Sequence, residues 1–436
     1  MKNKLSIVDY IDKNKFSSVA EIGTGTAKFS KYILDHSSIK KLYCIDPWEK
    51  WEFRKGSGGK HYKCGDGESR FIIANSILKD YGDRVDIIRN FSYDALSKIP
   101  DGSLDACCID GDLTFDGLLN DLRMYFPKVK EGGVIWGHSY ADNTDTKMVF
   151  HHAKLMPIQS STKRVIDTFA RRYGQELKIT TSSKDHSWYF FKKKYTPPQK
   201  LSIDVCIHCY NYQRRLCWML SSILQQKGDI PDITVRISHA FLNGNPNTEK
   251  VCDFFRQRGL KIIETVLDEK QSSNRAIARN IQIKETNSDW VLFADSDMVY
   301  DQYFFSDLQS KLNSKYKYET KCIGADRYSL DIPFCIQYFE KDHRAYPCVI
   351  ENVSDITRQW PVKSAFGKMT AAGYFQVANV DAIRARSGFY SSKENDLWRG
   401  TKSDIRFRVM MGGRVPIETT GQWHLNHDRQ GPELQR

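Results

Sequence analysis

Short apolar runs alternate along this chain with stretches in which apolar residues recur every three or four positions. A brief apolar run bounded by turn formers suits a buried strand; the longer recurrence suits a helix with one inner face. The first pair is Ser18–Ile22, then a glycine turn and a helical stretch over 28–34. Strand-like runs return at Lys41–Ile45, 84–89 and Leu104–Ile109, with a helix over 115–126 and strand-like runs near 177–181 and 188–192. A new series opens at 201–205. Its first helix carries Leu216, Leu220, Ile223 and Leu224 on one face, and strand, helix and strand follow at 233–238, 249–258 and 261–264. Such alternation predicts an α/β fold. Between the two series lies Thr196-Pro197-Pro198-Gln199-Lys200, a stiff polar break suited to a linker. At 436 residues the chain exceeds one typical core, so two domains are expected, 1–195 and 201–436, joined by 196–200.

Composition narrows the function classes. A formal charge of +12 suits anionic ligands, but no compact arginine-rich tract or target-base motif such as Asn-Pro-Pro-Tyr points to nucleic acid. The 11 cysteines are placed irregularly, with Cys107 and Cys108 adjacent in a strand-like run. That placement reads as free thiols in a reducing cytosol. Met1-Lys2-Asn3-Lys4-Leu5 lacks the apolar core of a signal peptide, and no run is long and apolar enough to span a bilayer. A cytoplasmic protein is expected, with peripheral membrane contact left open.

The telling polar residues stand where strand-like runs end. The run 290–294 leads straight into Asp295-Ser296-Asp297. Two carboxylates one residue apart there suit a divalent cation bridging the diphosphate of a sugar nucleotide. Hard oxygen ligands favour Mn or Mg, and the cation neutralises charge on the departing diphosphate. The same residues are also common turn formers. In the first half, Gly23-Thr24-Gly25 lets the backbone approach a ligand beside a helix N-terminus. Asp46 ends the next strand about 20 residues on, placed to accept both hydroxyls of a ribose. The third glycine of the dinucleotide fingerprint is absent, which argues against NAD. Asp110-Gly111-Asp112 ends another run, and His138 follows Gly132-Gly133-Val134-Ile135-Trp136-Gly137.

In this order of motifs, most of residues 1–195 resembles the class I S-adenosylmethionine-dependent methyltransferases. The likeness is greatest to the subgroup with an Asp-Gly-Asp strand end and a later Gly-Gly-x-x-x-Gly-His, which includes sugar and macrolide O-methyltransferases. The resemblance implies Glu21, Gly23 and Gly25 around the methionine part, Asp46 on the ribose, Ser92 and Tyr93 near the adenine, and Asp110 near the reaction centre. Methyl transfer needs an activated hydroxyl in line with the sulfonium, a task for a base or metal near Asp110, Asp112 and His138. Several relatives have Asp after that histidine, whereas Ser139 follows here. His138 therefore reads either as a catalytic base or as a loop cap. The stretch 48–68, rich in Gly, Lys and aromatics, reads either as an acceptor-covering lid or as a surface loop.

The segments 203–211, 274–280 and 290–299 resemble a GT-A glycosyltransferase of glycosyltransferase family 2, a likeness covering about 201–427. It implies that the loop after Ile207, with Asn211, and the Arg279 and Asn280 segment border the nucleotide, and that Asp295 and Asp297 hold the metal. It also implies that His424, within Gly421-Gln422-Trp423-His424-Leu425-Asn426-His427, completes the metal site. Asp404, Arg408 and Gly413 match a later motif of these enzymes, but Thr401 and Lys402 stand where its acidic pair belongs. In inverting relatives one of those acids is the general base. Here Asp404, Glu394 or Asp396 takes that role, with Asp404 the matched carboxylate. The stretch 371–376 suits an acceptor-side wall or simple core packing. The resulting expectation is a bifunctional enzyme using S-adenosylmethionine and a nucleotide-diphosphate sugar, methylating a sugar hydroxyl and glycosylating a glycan or glycoconjugate. The competing expectation, prompted by Thr401, Lys402 and Ser139, is a glycan- or nucleotide-binding protein built on degenerate enzyme folds.

Overall fold

The computed structural model describes residues 1, 3, 5–49, 52–54, 61–63, 67–141, 146–151, 154–159, 162–181, 186–196, 198, 200–209, 213–240, 247–272, 274–325, 328–330, 332–360, 362–365, 375–386 and 403–425. The chain forms two compact units, Met1–Pro197 with Arg384–Ser387, and Pro198–Ile383 with Gly388–Arg436.

In the first unit seven strands lie in the order Lys178–Ile179, Trp188–Phe191, Val129–Gly137, Leu104–Ile109, Ser18–Ile22, Lys41–Ile45 and Val85–Ile88. The last five of these pair in parallel, while Trp188–Phe191 runs antiparallel to both its neighbours. Parallel strands covered on both faces need nearly unbroken apolar sequence. Ser18–Ile22 and Leu104–Ile109 supply it, with Val19, Ala20, Ala106 and Cys107 fully buried. The reversed strand packs close. A Cβ on Gly137 would lie 2.5 Å from the Ile109 carbonyl oxygen and 2.6 Å from the Trp188 ring, so only glycine fits there. The parallel strands also end level. Ile22 stands opposite both Ile45 and Ile109, Ile45 opposite Ile88, and Ile109 opposite Gly137. The turns that follow them therefore open on one edge of the sheet. Within 48–68, Glu52–Arg54 pairs antiparallel with His61–Lys63, and the intervening residues lie outside the described ones.

In the second unit the order is Ile262–Val266, Asp232–His239, Ser202–His208, Trp290–Asp295, Phe375–Asn379, Cys322–Gly324 and Arg414–Pro416. The first four are parallel, and Phe375–Asn379 is antiparallel to both neighbours. The helix Gln213–Leu224 turns Leu216, Leu220 and Ile223 into the core against Val205, Ile207, Ile237 and Leu292, the face its spacing predicts. A smaller sheet joins Met298–Tyr300, Gln422–His424, Tyr328–Leu330 and Val362–Ala365 in that order. Among the described residues no helix is long and apolar enough to cross a membrane.

Candidate active sites

The level strand ends of the first unit gather its polar groups. Gly23 and Gly25 both adopt positive φ, +89° and +60°. A Cβ on Gly23 would lie 2.3 Å from the Asp110 carbonyl oxygen, so the two strand-end turns touch only because this residue is glycine. Asp46 binds the glycine turn through one carboxylate oxygen, accepting from the Gly25 amide at 2.9 Å, while the other accepts from the Trp48 amide of its own loop at 2.8 Å. The buried Trp48 ring returns a hydrogen bond from Nε1 to the Gly25 carbonyl at 2.7 Å. Glu21 is buried and accepts from the Ser30 hydroxyl. Ser92 and Tyr93 open the short helix Ser92–Ala95 after the strand Val85–Ile88. Tyr93 is exposed and stacks on Phe91 at 5.3 Å, while the Ser92 carbonyl accepts from Tyr125 Oη at 2.8 Å.

Asp110 and His138 end neighbouring strands, and His138 Nε2 lies 2.8 Å from Asp110 Oδ1. A carboxylate only accepts, so Nε2 carries the proton and Nδ1 is the basic nitrogen. That nitrogen is 2.8 Å from the Ser139 hydroxyl. Ser139 itself has φ +59°, a backbone state rarely adopted by residues other than glycine, and its carbonyl accepts from Thr162 Oγ1. Asp112 plays a local part, accepting from the Thr114 amide at 2.9 Å just before Thr114 caps the helix Phe115–Tyr125. Beneath this turn lies Asp121, almost fully buried, with an oxygen 3.4 Å from where a Gly111 Cβ would stand. Burial pushes its carboxyl up to about 7; a hydrogen bond with Ser92 opposes the shift and the charge of Asp112 adds to it. Sequence reading passed over Asp121, whose one signal is a carboxylate three residues after Leu118 on the apolar face.

In the second unit Asp295 ends its strand beside His208, its register partner. The amide of Leu425 donates to the Asp297 carbonyl at 2.9 Å, and Met298 pairs with His424 in the small sheet. This pairing brings His424 Nε2 to 3.2 Å from Asp297 Oδ2. Asp295 turns elsewhere. Arg275 Nη1 lies 3.0 Å from Asp295 Oδ1 and 3.6 Å from Asp404 Oδ2, and Arg279 Nη1 donates to Asp404 Oδ1. The two arginines are one turn apart on the helix Arg275–Glu285, whose start is set by Asn274 accepting from the Ala276 amide at 3.0 Å. The Arg279 guanidinium sits 5.1 Å from the Phe293 ring, and Gln376 Nε2 donates to the Asp404 carbonyl at 3.0 Å. Burial pushes His208 down to about 4, so it is neutral. Its Nε2–H donates to the Ser272 carbonyl at 2.8 Å, and Nδ1 faces the Ser238 hydroxyl at 3.0 Å.

The structure thus joins Asp110 with His138, Asp46 with the glycine turn, and Asp297 with His424. It places Asp295, Arg279 and Asp404 in one ionic chain through Arg275, which sequence reading did not single out. Asp404, expected as the general base, has a guanidinium at each carboxylate oxygen. Asn280 lies in the same helix, next to Arg279. Among the described residues no group of three or more His, Cys, Asp or Glu side chains is placed to hold a metal ion. Asn211, Glu394, Asp396, Thr401, Lys402, His427 and the stretch 371–374 lie outside the described residues.

Residues 20–140 match the family model described as a methyltransferase domain, and residues 204–326 match that of glycosyl transferase family 2. A curated protein of Acanthamoeba polyphaga mimivirus, uncharacterized protein R132, is 28% identical over 128 residues, covering 28% of this chain and 51% of that protein. The chain thus spans about half the length of that relative. Among solved structures, S. aureus TarS 1–349 in complex with UDP-GlcNAc is 13% identical with a TM-score of 0.35, covering 54% of this chain and 60% of that one. The O-methyltransferase from Bacillus cereus in complex with SAH is 16% identical with a TM-score of 0.30, covering 43% and 80%. By these matches residues 20–140 are similar to methyltransferase domains, and residues 204–326 to family 2 glycosyltransferases.

Proposed function

We propose that the chain is a bifunctional transferase, moving a methyl group from S-adenosylmethionine to a sugar hydroxyl and a sugar from a nucleotide-diphosphate donor to a glycan or glycoconjugate. The observation that carries this reading is the gathering of polar groups at level strand ends in each unit. In open α/β sheets, ligands bind at that edge.

The cofactor fits the first unit. A carboxylate offers about four lone-pair sites, so Asp46 keeps acceptor capacity beyond the two amides it already binds. Asp46 would take the ribose, with Glu21, Gly23 and Gly25 around the methionine part and Ser92 and Tyr93 beside the adenine. When bound, S-adenosylmethionine supplies an electrophilic methyl group on a sulfonium. The chain's own part is to hold the acceptor hydroxyl and remove its proton. His138 Nδ1 is the base, and Asp110 orients the imidazole and stabilises its charged form. Ser139, 2.8 Å from Nδ1, occupies the position of an alcohol awaiting deprotonation.

In the second unit Asp297 and His424 offer an oxygen and an imidazole donor side by side, which suits Mn or Mg, with Asp295 joining them on release from Arg275. The cation, when bound, neutralises charge on the leaving diphosphate. Arg279, Asn280 and the loop with Asn211 would flank the nucleotide. The two guanidiniums on Asp404 support an anchoring role for that residue, which moves proton removal from the sugar acceptor towards Glu394 or Asp396.

Two assays on the full chain test the reading: transfer of labelled methyl from S-adenosylmethionine to sugar acceptors, and turnover of nucleotide sugars with Mn against chelator. The expected outcome is activity in both, the second lost on Asp297→Ala. Tight ligand binding with no turnover of either kind would favour a binding protein on degenerate enzyme folds.

A further inference from the structure

We propose that Arg275 is a movable counter-ion that holds Asp295 until a diphosphate draws it away, so that anion and cation load this site as a coupled pair. The inference rests on the donor-site reading above and goes beyond it by assigning a residue and an order of events. Three observations carry it. First, a single nitrogen of Arg275 serves two carboxylates, Asp295 at 3.0 Å and Asp404 at 3.6 Å. Second, the two arginines on this helix face differ in freedom. The Arg279 side chain is 1% exposed, whereas that of Arg275 is 34% exposed and can swing without disturbing the core. Third, Asp404 is already paired with Arg279, so its longer contact is only a light second hold on Arg275.

The electrostatics then give the order. While Arg275 sits on Asp295, a divalent cation approaching that carboxylate meets a positive charge at contact distance and a carboxylate already engaged. A diphosphate changes this balance. It carries several negative charges on tetrahedral oxygens, which a guanidinium fork matches with two parallel hydrogen bonds. Once Arg275 turns to the phosphate oxygens, Asp295 becomes available to the cation, and Asp404 keeps Arg279 and the helix in place. Each ligand thereby favours the other, as linkage requires.

The test uses the full chain with manganese alone and inorganic pyrophosphate alone as probes. Manganese binding is read by the loss of free-ion paramagnetic resonance signal, and pyrophosphate binding by calorimetry in chelator. Arg275→Gln should bind manganese roughly tenfold more tightly and pyrophosphate roughly tenfold more weakly, each the equivalent of one ion pair. Arg275→Lys keeps the charge but lacks the fork, so manganese binding should stay near wild type while pyrophosphate weakens. A structural role alone would move both ligands in the same direction. Unchanged or weaker manganese binding in Arg275→Gln, with its melting temperature retained, overturns the proposal. So does tighter manganese binding by Arg275→Lys with pyrophosphate unchanged. A wild-type chain that binds neither probe overturns the donor-site reading instead.

Discussion

The two polar centres occupy equivalent places, at the carboxyl ends of parallel strands, yet they meet water differently. In the first unit the Ser139, His138 and Asp110 chain is open to solvent, with His138 and Asp110 30% and 28% exposed. In the second, the chain from Arg279 through Asp404 to Arg275 and Asp295 starts from side chains that are 1% and 8% exposed. An exposed ionic contact is weak because water already solvates both groups. A buried one is different in kind, since removing either partner strands a charge in a poor solvent. The first unit can therefore alter its chemistry at little cost in stability, whereas in the second a change to the buried Arg279–Asp404 pair is also a change to the fold, and only the exposed Arg275 end of the chain can vary freely.

The strongest way to break that contrast is a matched pair of substitutions. Asp404→Asn should destabilise the second unit by about 3–5 kcal/mol because Arg279 loses its counter-charge, while Asp110→Asn should cost about 1 kcal/mol or less. Urea unfolding of the two variants measures both, and equal midpoints would erase the distinction.

The next test is pH, where the units should respond in opposite senses. The Asp121 carboxyl is raised from 3.8 to about 7 on folding, so its contribution is complete below about pH 4 and is lost as pH rises through 7. His208 is lowered from 6.5 to about 4, so its contribution is complete above pH 6.5 and is lost as pH falls through 4. Each amounts to a few kcal/mol, because every tenfold change in proton affinity is worth about 1.4 kcal/mol. Asp121→Asn should remove the loss on the rising side and His208→Gln the loss on the falling side. Melting curves from pH 4 to 8 that keep the wild-type slope in both variants would contradict this.

Smaller effects sharpen the comparison further. Asp46→Ala should cost about 1.5–3 kcal/mol of S-adenosylmethionine binding by calorimetry, since a charged acceptor is lost, and leave pyrophosphate binding unchanged. Smallest of all are the helix caps. Thr114→Ala and Asn274→Ala should each lower stability by about 1 kcal/mol, but only the second should also shift pyrophosphate affinity, because that cap fixes the turn carrying Arg275.

Much of this was legible from local pattern. The parallel strands, the helix face of Leu216, Leu220 and Ile223, and the polar residues at strand ends are all encoded in residues near one another in sequence. The helix Leu5–Lys13 went unread although Ile7, Val8 and Ile11, all buried, are spaced for it. The three-residue strands Met298–Tyr300 and Gln422–His424 are too short to show a period. Partnerships were harder still. Asp121 reads as a misfit on an apolar face until the Gly111 turn is laid over it, and Arg275 reads as a surface cation until the strand end of Asp295 is set beside it. The residue type at each position was visible, but the partner that gives it a role arrives only with tertiary packing.

The pairing of Arg279 with Asp404 spans 125 residues, and that distance has a consequence for biosynthesis. During vectorial synthesis the helix Arg275–Glu285 and the parallel strands leave the ribosome well before the helix Ser403–Met410. Until that later helix docks, Arg279 has no Asp404 to neutralise it, and burying it beside Phe293 is unfavourable. The nascent second unit should thus hold a loosened helix and an unformed strand-end edge, with closure of a long loop as its late step. On the proposed function, a site formed this way is absent from partly made chains, and an incomplete chain on the ribosome would not hold a nucleotide sugar.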